Sequence, residues 1–355
     1  MENLPVEITT NIFLRLPARS LGQLQCVSKT LKTLISSPYF TKTHHAQTPP
    51  ALRRLKLLFC TSSLHTLDIF NEQIQRNPRP HYLRLRSSHV RNYCGAVELV
   101  GSCNGLVCLL YASNRYSLVN PTTRAMRVLP DAGMLPARIR LSGFGYVARR
   151  DDYRVVCVGS DEVMRVFSAK DGSWRRVWAL VPLPVNRGIK PVFVGGVVHW
   201  LGFDSGASPL HKVMGFDFVD EEVKMLPLCE QMSKRVITAL GVLGGRLCVL
   251  SVADHDRDLD LWVMMEYGVR ESWMRLCELP IVYPHSPFAS VSPISYVGYE
   301  ILFLADSRCL MLSDIGGGTH KTLEVELQGR GSTEEMQVAV YEETLVSPHD
   351  FICQE

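Results

Sequence analysis

The eleven cysteines of this chain include no Cys-x-x-Cys and no Cys-x-x-His spacing. A disulfide framework and a zinc site are therefore both without a sequence basis, and scattered thiols of this kind read as buried free cysteines of a reducing compartment. Long apolar runs are also missing. No stretch approaches the ~18–20 residues that a membrane-spanning helix needs. Leu4 to Leu16 is broken by Pro5, Glu7, Asn11 and Arg15, so it is not the apolar region of a signal peptide. The one Asn-x-Thr, Asn120-Pro121-Thr122, has proline in the middle and is no glycosylation acceptor. These absences give the expectation of a protein in the cytoplasm and/or the nucleus. A large charge of one sign is lacking too. The net charge is +3, yet residues 1–100 carry 13 basic and 5 acidic side chains against 25 and 30 in the rest. A basic front on a slightly acidic body points to separate partners.

Catalytic signatures are equally scarce. There is no Gly-x-Ser-x-Gly elbow and no P-loop. Gly143-Phe144-Gly145 is a lone Gly-x-Gly within a strand-rich unit, without the strand-to-helix context of a dinucleotide site, and its glycines read as close backbone packing. Asp254-His255-Asp256-Arg257-Asp258-Leu259-Asp260 has metal-binding residue types, but not the glycine and glutamate spacing of a calcium loop. It reads as a solvated connection between strands. His44-His45 reads as a polar exit from the first helices, and His199, alternating with Val198 and Trp200, as a satisfied sheet histidine. In the Arg-rich stretch 76–91, Leu83 and Leu85 alternate with Arg84 and Arg86 as in a half-exposed strand. An RNA-binding role for that stretch is the weaker reading. No catalytic residue, metal ligand or cofactor is assigned.

What is present divides the 355 residues in two. In the first forty, Pro5 suits a helix start and Glu7 sits well near its positive end. Leu4, Ile8, Ile12 and Leu16 form one apolar stripe at i, i+4 spacing, widened by Phe13. Pro17 ends that helix. Ser20 and Gln23 form a capping box for the next. Leu21, Leu24, Val27, Leu31, Leu34 and Ile35 then recur every three or four residues until Pro38. The expectation is a helical hairpin or three short helices ending near Phe40. So small a unit rarely stands alone without a metal, disulfides or a partner. Either it caps its own body or much of its apolar surface belongs to another protein.

The rest reads as repeats of about 40 to 50 residues, the range of propeller blades. A Gly-containing turn and short apolar strand recur as CNGLVCLL (103–110), GGVVHWL (195–201), GGRLCVL (244–250) and VGYEILFL (297–304). Each is followed by further strands, such as YSLVNP and TTRAMRVLP. Residues 143–180 form a variant unit with a longer first strand pair. A sixth unit looks split between 55–70 and 336–346. Pairing its two parts would close a ring and remove the exposed sheet edges. The fold class expected is therefore mainly β with a small α domain: N-terminal helices, then a kelch-like β-propeller of about six blades, with an open sandwich array as the alternative.

Two resemblances follow from these residues. LPVEITTNIFLRLPARSLGQLQCVSKTLKTLISSPYF resembles an F-box, departing from it by having Leu31 where the family usually has tryptophan. GSCNGLVCL, NPTTRAMRVLP, GFGYVARRDDYRVV, GGVVHWL, FDFVDEEVKMLPL and the stretch from Leu240 to Leu276 resemble successive signatures of the plant F-box-associated interaction domain, clearest over 100–280. Within that family the chain resembles plant F-box proteins that limit immune-receptor abundance and the S-locus F-box proteins of pollen. The resemblance implies an F-box over 1–45 and a target-recognising domain over 46–355. It implies binding of a Skp-type adaptor, and through it a cullin, by Leu4, Pro5, Ile8, Ile12, Leu16, Pro17, Leu21, Leu24, Val27, Leu31, Leu34 and Ile35. The implied role is non-catalytic: substrate recognition in a ubiquitin ligase of the Skp–cullin–F-box type, followed by proteasomal degradation. A propeller-fold enzyme or glycan binder with a helical cap, and an F-box scaffold acting without degradation, are the alternatives. Target-contacting residues are not assigned; the connections at 131–142, 202–212 and 253–259, which vary most in length, are where they would be sought.

Overall fold

The computed structural model describes residues 5–49, 53–69, 80–85, 97–133, 139–179, 189–203, 211–252, 258–280, 290–316, 320–323, 325, 327 and 335–351. Among them four helices come first: α1 (Val6–Phe13), α2 (Ala18–Leu24), α3 (Lys29–Ile35) and α4 (Pro38–Gln47). The sequence predicts a helical hairpin or three short helices ending near Phe40. Pro38 does not close the run; it occupies the first position of α4, where a missing N–H costs nothing. The capping box expected at Ser20 and Gln23 is also absent, since α2 begins at Ala18 behind Pro17. The caps are elsewhere. Ser28 Oγ accepts from Leu31 N (3.1 Å), and Ser37 Oγ from Phe40 N (3.3 Å).

The strands then form six four-stranded antiparallel sheets. The first holds β1 (Leu55–Cys60), β2 (Leu64–Asp68) and β3 (His81–Tyr82). The second is β4 (Val97–Cys103), β5 (Leu106–Tyr111), β6 (Tyr116–Asn120) and β7 (Ala125–Val128). The third is β8 (Leu141–Val147), β9 (Asp152–Val158), β10 (Met164–Ser168) and β11 (Ser173–Val177). The fourth is β12 (Val192–Val194), β13 (Val197–Phe203), β14 (His211–Asp217) and β15 (Val223–Met225). The fifth is β16 (Val236–Leu243), β17 (Arg246–Val252), β18 (Asp258–Met264) and β19 (Trp273–Pro280). The sixth is β20 (Val291–Val297), β21 (Glu300–Ala305), β22 (Cys309–Asp314) and β23 (His320–Leu323). The last strand, β24 (Gln337–Glu342), returns to the first sheet and pairs with β1 from Leu55↔Glu342 to Cys60↔Gln337. Each innermost strand touches that of the next blade, and β20 touches β24, so the ring closes. The split sixth unit read from the sequence is this first blade.

The strand sequences explain why the blades stack. Strands such as LVCLLY are apolar at every position because both sides of a blade face a neighbour. Leu106, Cys108 and Leu110 of β5 enter the core shared with the third blade. Val107, Leu109 and Tyr111 enter the core shared with the first. The same division holds at β9, β17 and β21, giving one apolar core per blade interface. Inner strands must also approach closely, and the Gly-x-Gly of β8 permits it. A Cβ on Gly143 would lie 2.3 Å from Val198 Cγ1, and one on Gly145 would lie 2.1 Å from Phe193 Cε2. Gly143→Ala is accordingly expected to destabilise the chain by about 1–3 kcal/mol through overpacking. Urea unfolding would register this as a lowered midpoint at unchanged slope, and an unaltered midpoint would contradict it.

Because each blade crosses the ring four times, its first and third turns lie on one face. Its second turn and the connection to the next blade lie on the other. The helices join the first face, since β1 starts beside the end of β24. The strand ends bracketing 131–142, 202–212 and 253–259 lie on the opposite face: Val128 and Leu141, Phe203 and His211, Val252 and Asp258. Residues 134–138, 204–210 and 253–257 within these connections lie outside the described residues.

Candidate functional site

The helices present two surfaces of opposite use. Inward, Phe13, Ala18, Leu21, Ile35 and Phe40 pack with Leu345, which follows β24. Leu14, Leu16, Leu24, Leu31 and Leu34 lie half-buried around them. Outward, Ile8 and Ile12 are 47% and 48% exposed on one stripe of α1, and Pro5 is exposed on the same side. Val27, just before α3, is 70% exposed. Exposed Arg15, Arg19, Lys29 and Lys32 share this module, whose described acidic residue is Glu7. The exposed side chains of the module thus combine an apolar stripe with four basic residues.

The twelve residues assigned to an adaptor face are therefore not brought together on one surface. Pro5, Ile8, Ile12, Pro17 and Val27 are exposed, and Leu16, Leu24, Leu31 and Leu34 are half-buried. Leu21 and Ile35 are fully buried, so they hold the helices together and offer nothing outward. Phe13, read as widening the stripe, is buried in the helical core instead. Leu4 lies outside the described residues. Two exposed apolar residues escaped the sequence reading: Val6 and Tyr39. Neither carried a legible signal, because neighbours in a helix lie only about 100° apart and the sequence does not show which side meets the core.

His44 and His45 are not a polar exit but part of α4. His44 is buried and its Nε2 donates to the Leu16 carbonyl (2.7 Å), tying α4 to the end of α1. His45 Nδ1 lies 3.9 Å from Glu342 Oε1, but burial and the nearby Arg53 charge push the imidazole down to about 4, keeping it neutral. Glu342 is in turn raised by burial, against the lowering influence of Arg53 at 3.1 Å.

The chemical-looking stretches of the propeller have structural employment. The acidic stretch, expected as a solvated loop between strands 244–252 and 260–266, runs into β18, where Asp260 is buried between Arg235 and Arg275, each at 2.5 Å; residues 253–257 lie outside the described residues. Among the described residues of the Arg-rich stretch, 80–85, the strand is β3, after which Leu83 is buried and Arg84 exposed; residues 76–79 and 86–91 lie outside the described residues. Among the described residues no group of three or more His, Cys, Asp or Glu is placed to hold a metal ion, and no helix is long and apolar enough to cross a membrane. His199 is buried in β13, its Nε2 hydrogen-bonded to Tyr267 Oη (2.8 Å). Burial pushes His199 down to about 4 and Tyr267 up to about 12, so the pair is a neutral tether between the fourth and fifth blades.

That tether gives a pH dependence of definite sign. An unfolded histidine titrates near 6.5, so the unfolded chain takes up protons before the folded one does. The stability contributed by neutral His199 is complete above about 6.5 and is lost as pH falls toward 4. Between pH 7 and pH 5 the expected loss is about 2 kcal/mol. His45 adds to it in the same window. Denaturant unfolding at the two pH values checks this, and His199→Phe should flatten the slope. Equal stability at pH 5 and pH 7 would contradict the assignment.

The comparisons with known proteins agree with this division of the molecule. The F-box domain family matches residues 1–43, and the F-box associated beta propeller domain family matches residues 56–286. The chain belongs to the F-box associated β-propeller family. It is 27% identical over 331 residues to F-box protein CPR1 of Arabidopsis thaliana, covering 83% of this chain and 78% of that one. It is 26% identical to an F-box/kelch-repeat protein of the same organism, over 98% of this chain and 96% of the relative. Members of this family pair an adaptor-binding module with a propeller for target binding and are typically non-catalytic.

Proposed function

We propose that the chain is the substrate-recognition subunit of a Skp–cullin–F-box ubiquitin ligase, bringing a target protein to ubiquitination and proteasomal degradation. The observation that carries this reading is the outward stripe of Pro5, Ile8 and Ile12, with Val27, on helices matching the F-box domain. Large aliphatic side chains about half exposed or more on a small module are best accounted for by a protein partner. The basic residues of the same module favour a partner surface that combines apolar and acidic groups. A Skp-type adaptor would cover this stripe and carry the cullin. The propeller would hold the target on the face away from the helices. Its contribution is effective concentration: tethering places target lysines near a ubiquitin-loaded enzyme carried elsewhere in the assembly. No covalent chemistry is required of this chain, and it would act in the cytoplasm, the nucleus or both.

The experiment is proximity labelling under proteasome inhibition, comparing the native chain with Ile8→Asp. A target should be labelled by both chains. It should accumulate on inhibition, and its half-life should shorten only with the native chain. A labelled partner whose half-life responds to neither chain would identify a scaffold without degradation. Turnover of a small substrate by the propeller, with no adaptor recovered, would identify an enzyme with a helical cap.

A further inference from the structure

The residues that follow β24 are used twice. β24 closes the ring, and only three residues beyond its last residue, Glu342, Leu345 enters the helical core. Its neighbour Val346 turns the other way, into the core between the second and third blades, as does Phe351, which meets Tyr153 edge-on at 4.9 Å. Residues 343–351 are thus clamped between the propeller and the helices.

The propeller supplies a built socket. Asn120, fully buried at the end of β6, donates from Nδ2 to the carbonyls of Thr344 (3.0 Å) and Val346 (2.7 Å). Its Oδ1 accepts from Thr122 N and Thr123 N, so the amide is held in one orientation. Arg127 Nη1 reaches the Pro348 carbonyl (3.4 Å), and His349 Nε2 donates to the Met126 carbonyl (3.2 Å). Gly105, at φ +79°, leaves room for Thr344; a Cβ there would lie 2.0 Å from Thr344 Oγ1. From the helices, Thr41 Oγ1 donates to Asp350 Oδ2 (3.3 Å), and Lys42 lies over the Phe351 ring while bridging to Asp151 (2.5 Å).

We infer that residues 343–351 couple ring closure to the folding of the adaptor-binding helices, with Leu345 and Asn120 as the positioning residues. A module of some forty residues buries too little surface to be stable alone. Here the missing core residue arrives from the segment just after the strand that closes the propeller. A chain whose ring is open lacks Leu345 in the helical core and presents no ordered outward stripe. The adaptor therefore engages closed propellers in preference to open ones, at one fixed orientation. This selection rests on the reading of the helices as adaptor-binding; the coupling itself does not.

Hydrogen exchange on the whole chain separates the two. In Leu345→Ala the amides of α1–α4 should lose protection at least about 30-fold, while those of β16–β19 change by less than about 3-fold. Leu345→Met, which keeps the volume, should restore the helices. Asn120→Ala, which alters the socket and not the helical core, should lower helix protection about 5-fold or more, because it frees the segment that carries Leu345. Affinity for a purified Skp-type adaptor should fall in step with helix protection. Unchanged α1–α4 protection in both Leu345→Ala and Asn120→Ala overturns the coupling. If Leu345→Ala unfolds every blade together, Asn120→Ala alone decides. An adaptor that fails to bind even the native chain counts against the proposed function and leaves the exchange result to judge the coupling.

Discussion

Aspartate at both Ile8 and Ile12 is expected to weaken adaptor binding by at least about 100-fold while leaving the chain folded. Both side chains lie on one stripe of α1 and are about half exposed, so neither fills the helical core. Covering them by a partner would desolvate two carboxylates in place of two aliphatic side chains, at a cost of several kcal/mol. On stability the same change acts only through helix propensity, roughly 0.5 kcal/mol per residue. The midpoint of thermal unfolding should therefore move by no more than a few degrees. Alanine at Leu21, by contrast, should cost about 2–5 kcal/mol of helix stability, because that residue is fully buried. The contrast between the two distinguishes outward from inward apolar residues, which their spacing does not.

The second large effect belongs to the propeller. Arg154 of β9 is buried and joins the third blade to the fourth: Nε donates to Asp152 Oδ2 (3.1 Å), and Nη1 to the Phe218 carbonyl (2.7 Å) and to Glu221 Oε1 (3.2 Å). Arg175 of β11 bonds the same Glu221 from outside. Burial would raise the Glu221 carboxyl, but Arg175 and Arg154 outweigh it and hold the group below its usual range. Arg154→Met removes a planar donor that serves three acceptors and leaves Asp152 buried without its guanidinium. The expected cost is about 3–5 kcal/mol, read as a lowered urea midpoint. Arg154→Lys should recover little of it, since one ammonium cannot reproduce the fork of donors. A loss below about 1 kcal/mol for Arg154→Met would mean that the bridge between these blades is dispensable.

Much of this architecture was legible because it is local and repeated. Gly-containing turns before short apolar strands marked four blades and the variant unit at 143–180 a fifth, while the unpaired runs at 55–70 and 336–346 marked the one shared by both ends. Strands apolar at every position required neighbours on both sides, which a ring of blades supplies. The helices were harder. Leu21 and Ile35 recur at the same three- and four-residue spacing as Ile8 and Ile12, but that spacing cannot say which stripe meets the rest of the chain. Asp260 lies in an acidic stretch and reads as solvent-exposed until Arg235 and Arg275 are brought beside it. Leu345 is more than 300 residues distant from the core it completes, and no local pattern reports such a contact.

The central claim is that α1 and its neighbours form the docking surface for a Skp-type adaptor. Titrating purified native chain with purified adaptor by calorimetry tests it most directly. A one-to-one complex with Kd below about 1 μM is expected, abolished by the Ile8 and Ile12 pair of aspartates. A folded chain that binds no adaptor at about 100 μM would contradict it.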